Sequence, residues 1–109
     1  MKQFYTVVLD RFQRLSGTYT TEPYETGWAD EAIAFIRIHE LDLKTTVEAK
    51  IQISIDGIVW LDEGTAFAPI TDLGDHFVKV SHFGGWMRIL LTIPPEKSCK
   101  ATLSIALKG

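Results

Sequence analysis

Apolar and polar residues alternate with a period of two along much of this chain. Val47, Ala49, Ile51, Ile53 and Ile55 are interleaved with Glu48, Lys50, Gln52 and Ser54. Met87, Ile89, Leu91 and Ile93 alternate with Trp86, Arg88, Leu90 and Thr92, and Ala101, Leu103, Ile105 and Leu107 with Lys100, Thr102, Ser104 and Lys108. Successive side chains of an extended strand point to opposite faces, so each stretch predicts a strand with one face in a core and one in water. Phe4 to Phe12 is apolar on both faces, as is Ala32 to Leu41. The second of these also reads as a helix, with Asp30 as its cap and Glu31 in its first turn. Its Ile33, Phe35, Ile36 and Ile38 favour strand, and strands flank it. Phe77 to Phe83 completes the set, with Val78 and Val80 directed inward.

Turn chemistry separates these runs. Asp56-Gly57 lies between two apolar stretches and predicts a tight hairpin turn of type I′, in which both central residues take positive φ. Gly84-Gly85 reads the same way, and Asp72-Leu73-Gly74-Asp75 reads as a loop. Pro94-Pro95 ends its strand because proline cannot donate to a ladder. Ser16-Gly17 and Pro23 interrupt the N-terminal region. Short strands recurring about every ten residues, with turns between them, predict an all-β antiparallel β-sandwich of about eight strands, jelly-roll-like, as a single domain over residues 1–109.

Composition narrows the function classes. The chain has 109 residues, 46% hydrophobic and 23% charged, enough for one core without metal or disulfide staples. The net charge is −3 and the basic residues are scattered, which argues against a nucleic-acid-binding face. Cys99 is the sole cysteine, so no intrachain disulfide forms and a reducing compartment fits. No secretory leader is visible and no apolar run approaches the roughly 18 residues that span a bilayer, so a cytoplasmic or virion location is expected, without membrane contact.

The segment Ile53-Ser54-Ile55-Asp56-Gly57-Ile58-Val59-Trp60 carries an S-x-D-G-x-x-W pattern. It resembles the hairpin of many small β-sandwich modules, among them discoidin-like carbohydrate-binding modules and jelly-roll domains of phage and other virion structural proteins. Phe83-Gly84-Gly85-Trp86-Met87-Arg88-Ile89 is similar to the strand that follows in such modules, where a Gly-aromatic-x-Arg pattern recurs. The resemblance implies a sandwich whose Asp-Gly makes the turn and whose Trp60 caps the core beyond it.

Catalytic constellations are lacking. His39, His76 and His82 match no zinc spacing. Asp56, Asp62, Glu63, Asp72 and Asp75 lack calcium-loop spacing and read as turn formers and solubilising charge. Asp62 and Glu63 are neighbours on a strand, so they point to opposite faces and cannot flank one glycosidic bond. Cys99 beside Lys100 has no evident base to make it a nucleophile. Neither an enzyme activity nor a cofactor is expected.

The aromatic residues are the better lead. With Met87, Ile89, Leu91 and Ile93 inward, Trp86, Arg88 and Leu90 face outward, and Trp and Arg are enriched at interface hot spots. Trp28 lies beside Gly27 in an expected loop, with Tyr19 and Tyr24 near it in sequence. The surplus of strands apolar on both faces predicts that another copy of the chain covers part of the surface. The expected function is a non-catalytic assembly module forming a homo-oligomer, with a trimer favoured, in a virion or virus-like setting and in contact with other structural proteins. The alternative is a carbohydrate-binding module that stacks exposed aromatics on a glycan.

Overall fold

Residues 4–81 and 83–109 are described by a computed structural model, in which the period of two is realised as strands throughout. They are β1 (Phe4–Leu15), β2 (Thr18–Thr20), β3 (Tyr24–Glu25), β4 (Glu31–Leu41), β5 (Glu48–Ser54), β6 (Leu61–Ala66), β7 (Gly74–Ser81), β8 (Trp86–Thr92) and β9 (Cys99–Lys108). The helix alternative at 30–41 gives way to strand: Ala32, Ala34, Ile36 and Ile38 are buried while Ile33, Phe35, Arg37 and His39 lie on the other face. No helix among the described residues is long and apolar enough to cross a membrane. His82 lies outside the described residues.

Two antiparallel sheets form, one ordered β1-β9-β4-β7 and the other β2-β8-β5-β6, with β3 also pairing β8. β2 and β3 occupy one strand position, interrupted where Pro23 has no N–H to give. Thr21 spans the break: its N–H donates to the Ile89 carbonyl at 3.0 Å and its hydroxyl accepts the Ile89 N–H at 3.0 Å. Each layer then has four positions. Every connection crosses between layers except the β5–β6 hairpin and the break within β2–β3, which is the path of a jelly roll.

Between the layers lie Ile36, Leu103 and Ile105 from one sheet and Ile51, Ile89 and Leu91 from the other, all but excluded from water. The alternation read at 47–55 holds as far as Ile51 and then reverses. Ser54 is buried and Ile55 is 94% exposed, because the chain leaves the ladder after Ser54. β7 begins at Gly74, so Gly74 and Asp75, read as loop, are in the ladder opposite Ile38 and Arg37.

Candidate interaction surfaces

The β5–β6 connection departs from the turn expected of Asp56-Gly57. The loop runs from Ile55 to Trp60, and of the pair only Gly57 has positive φ, at 81°. The turn is not type I′, because side chains rather than strand ends close it. The buried Ser54 hydroxyl donates to Asp56 Oδ1 at 2.9 Å and accepts the N–H groups of Gly57 (2.8 Å) and Asp56 (3.3 Å). Asp56 Oδ1 accepts the N–H groups of Ile58 (2.8 Å) and Val59 (3.1 Å). These backbone donors hold the Asp56 carboxyl below the usual carboxylate range, the Ile58 N–H most strongly.

The consequence is a hydrogen-bonded tip with its apolar side chains outside. Ile55, Ile58, Val59 and Leu61 are 94%, 79%, 63% and 64% exposed. Sequence reading did not single out Ile58, Val59 or Leu61. The signal was present as three apolar residues around one tryptophan immediately after a turn former. Gly57→Ala places a side chain in the left-handed region and is expected to cost about 1 kcal/mol. The added Cβ meets the Trp86 ring only at ordinary contact distance, 3.5 Å, so a melting curve should show strain without collapse.

Trp86, Arg88 and Leu90 are half-buried on the outer face of their sheet, as their alternation with buried Met87, Ile89 and Leu91 requires. Their surroundings are less open than expected. Trp86 lies against Gly57 of the tip. The Arg88 guanidinium sits 4.3 Å over the Trp60 ring, so Trp60 covers this outer face and does not cap the core. Arg88 Nε donates to Gln52 Oε1 at 2.8 Å, Gln52 Nε2 donates to Asp62 Oδ1 at 3.0 Å, and Lys50 Nζ donates to Asp62 Oδ2 at 2.9 Å. Lys50 and Gln52 together hold the Asp62 carboxyl below its ordinary range.

Two other expected residues are elsewhere. Tyr24 pairs with Met87 and packs against the core, so it faces inward, away from Trp86 and Arg88. Trp28 lies in the connection to β4 with its ring beside Gly109. Cys99 is buried, and burial pushes its thiol pKa up, the opposite of what a neighbouring Lys100 would do for a nucleophile. Glu63 bonds the Thr65 hydroxyl on its own strand, apart from Asp62 and its partners. Among the described residues no three His, Cys, Asp or Glu side chains converge as metal ligands.

Three carboxylates share one dependence on pH. Asp56, Asp62 and Asp75 are all held below the ordinary carboxylate value, Asp75 chiefly by Arg37. A lowered folded pKa stabilises the fold fully above the unfolded value of about 3.9, and that contribution is lost as pH falls through the folded values. The contribution of these groups to the melting temperature should therefore be lost only below about pH 4, and a thermal series across that range checks it.

No family model matches the chain, and no curated protein matches it by sequence. Among solved structures it is similar to the SPBc2 prophage-derived protein YomS, at TM-score 0.65 and 8% identity, over 100% of this chain and 96% of that one. It is also similar to VP2 of infectious bursal disease virus in a subviral particle, at TM-score 0.65 and 12% identity, over 98% of this chain and 32% of that one. The chain thus spans about a third of the viral chain. At such identities the likeness is one of fold: an antiparallel β-sandwich shared with a prophage protein and a virus particle protein.

Proposed function

We propose that this chain is a non-catalytic structural module that assembles with copies of itself, a trimer being the favoured order, in a virion or virus-like particle. The observation that carries the reading is the tip. Ser54 and Asp56 hold the loop by hydrogen bonds with Ile55, Ile58, Val59 and Leu61 exposed, and four exposed apolar side chains within seven residues are what a protein contact would cover. The half-buried Trp86 and Arg88 lie behind it, with Trp86 as a brace under Gly57. The same sandwich serves a virus protein that forms a subviral particle, which supports the setting. Glycan stacking on Trp86 is disfavoured, because the tip lies against its ring.

Solution mass at micromolar concentration tests the reading. A discrete multiple of the 12.3 kDa subunit is expected. A clean monomer by light scattering removes it.

A further inference from the structure

The opposite sheet carries a second feature that the tip does not explain. β1 and β4 flank β9, and both bulge at the same level. Between Asp10 and Gln13, β1 places Arg11 and Phe12 against the lone Thr102. Between Ile38 and Glu40, β4 inserts His39 opposite the junction of Ala101 and Lys100. The two bulges converge on Thr102. Its hydroxyl accepts the Phe12 N–H at 3.1 Å and shares a hydrogen bond with His39 Nε2 at 2.8 Å. Phe12 stacks on His39 with ring centroids 4.4 Å apart. Phe12 achieves this at φ 51°, in the left-handed region that a bulky aromatic residue rarely enters. Strain of that kind persists where the surroundings impose it, and it collects at binding sites, as bulges do.

The result is a groove of about 410 Å³ on the outer face of this sheet, within the range of ligand sites. Short side chains, Thr102 and Ser104, form its floor. Phe12 and Arg11 stand on one wall, and Phe35 and the Arg37–Asp75 pair on the other. Arg37 Nε and Nη2 donate to the two Asp75 oxygens at 2.6 and 3.1 Å, so that pair is internally neutral. Three polar groups lack a partner among the described residues: the Ser104 hydroxyl, His39 Nδ1 and the Arg11 guanidinium.

We propose that this groove binds a saccharide chain with acidic sugar units. A pyranose ring has an apolar face for Phe12 or Phe35 and a rim of hydroxyls that both donate and accept, which matches Ser104, His39 and the Asp75 carboxylate. Arg11 supplies an unneutralised cation for a sugar carboxylate. The groove is open and runs along β9 between its two neighbours, which leaves room for a chain. The site lies on the sheet opposite the tip and does not depend on self-assembly.

Backbone amide shifts followed by NMR test this with trigalacturonic acid and, as the neutral probe, cellotriose. The acidic trisaccharide should move the amides of Phe12, His39, Thr102 and Ser104 at millimolar concentration or below, and cellotriose should bind several-fold more weakly. Phe12→Gly relieves the left-handed strain, so its melting temperature should equal or exceed that of the wild type while binding falls roughly tenfold or more, the scale of a lost ring contact. Phe12→Tyr should retain binding, and Arg11→Gln should abolish the preference for acid. Absence of shifts with both probes overturns the proposal. So do shifts confined to the tip, or shifts that follow protein concentration alone, which would mean that a second copy covers the groove. Binding that survives Phe12→Gly and vanishes in salt also overturns it, since charge alone would then be responsible.

Discussion

Gly85→Ala is expected to lower the melting temperature by roughly 10–30 °C, at about 4–8 °C per kcal/mol for a domain of this size. Gly85 stands at φ 66°, and a Cβ there would fall 2.4 Å from the Ser54 carbonyl oxygen and 3.2 Å from the Ile55 Cα. Both obstacles are backbone and cannot rotate away. The Gly85 carbonyl also accepts the N–H of Thr26 at 2.6 Å and its hydroxyl at 3.1 Å, so moving the glycine to admit a methyl group loosens three chain segments at once. Left-handed strain costs about 1–2 kcal/mol and overpacking about 1–3 more, against a total stability of about 5–15. Gly84 is the internal control. Nothing lies within 4 Å of its added Cβ and its φ is outside the left-handed region, so Gly84→Ala should change stability by less than about 0.5 kcal/mol. Equal melting temperatures for the two variants would show that the Gly85 approach is not as close as described.

The double variant Ile58→Lys, Val59→Lys is expected to turn the proposed oligomer into a folded monomer. Both side chains are exposed in the subunit, so neither contributes to its core, and lysine leaves the N–H groups that bond Asp56 in place. At an interface the same change removes two apolar anchors and introduces ammonium groups with no partner. Interface anchors are worth about 2–4 kcal/mol, so the dissociation constant should rise roughly 30- to 1000-fold. Sedimentation should then report subunit mass with an unchanged circular dichroism spectrum. Leu90→Lys, on the same outer face as Trp86 and Arg88 but further along β8, locates the contact. Dissociation by Leu90→Lys with the tip variant intact would move the interface onto β8 and withdraw the tip from it.

The strands were legible wherever burial has a simple period. Met87 to Leu91 and Ala101 to Ile105 alternate because one face meets the core and nothing disturbs the ladder. Even the ambiguous 32–41 segment resolved correctly through its branched residues. What escaped the reading depends on interactions that a period does not encode. Asp56-Gly57 carries the composition of a two-residue turn, but the turn type was decided by Ser54, whose buried hydroxyl gathers the loop from outside the dipeptide. Trp60 looked like a core cap until Arg88, distant in sequence, appeared beneath its ring. The groove was the least visible, since Phe12 and His39 meet only through two bulges. The one trace in the sequence was the failure of 4–12 to alternate, which was read as apolar surplus and is in part a change of register. The tip was hidden for a related reason: Ile55 belongs to the alternating series by sequence and leaves it in space.

The position of β9 between β1 and β4 also governs how the protein is made. A ribosome delivers β1 first and β9 last, yet their ladder joins Phe4 to Lys108 and Leu15 to Cys99. Until residues 99–108 emerge, β1 lacks its one neighbour among the described strands and β4 can pair there on one side alone, through β7. Pairing at such sequence separation is slow, and unpaired strand edges invite other chains in the meantime. This sheet therefore cannot close before residues 99–108 have emerged, and the yield of folded protein should rise when their translation is fast or when a holding chaperone shields β1 and β4 until they arrive.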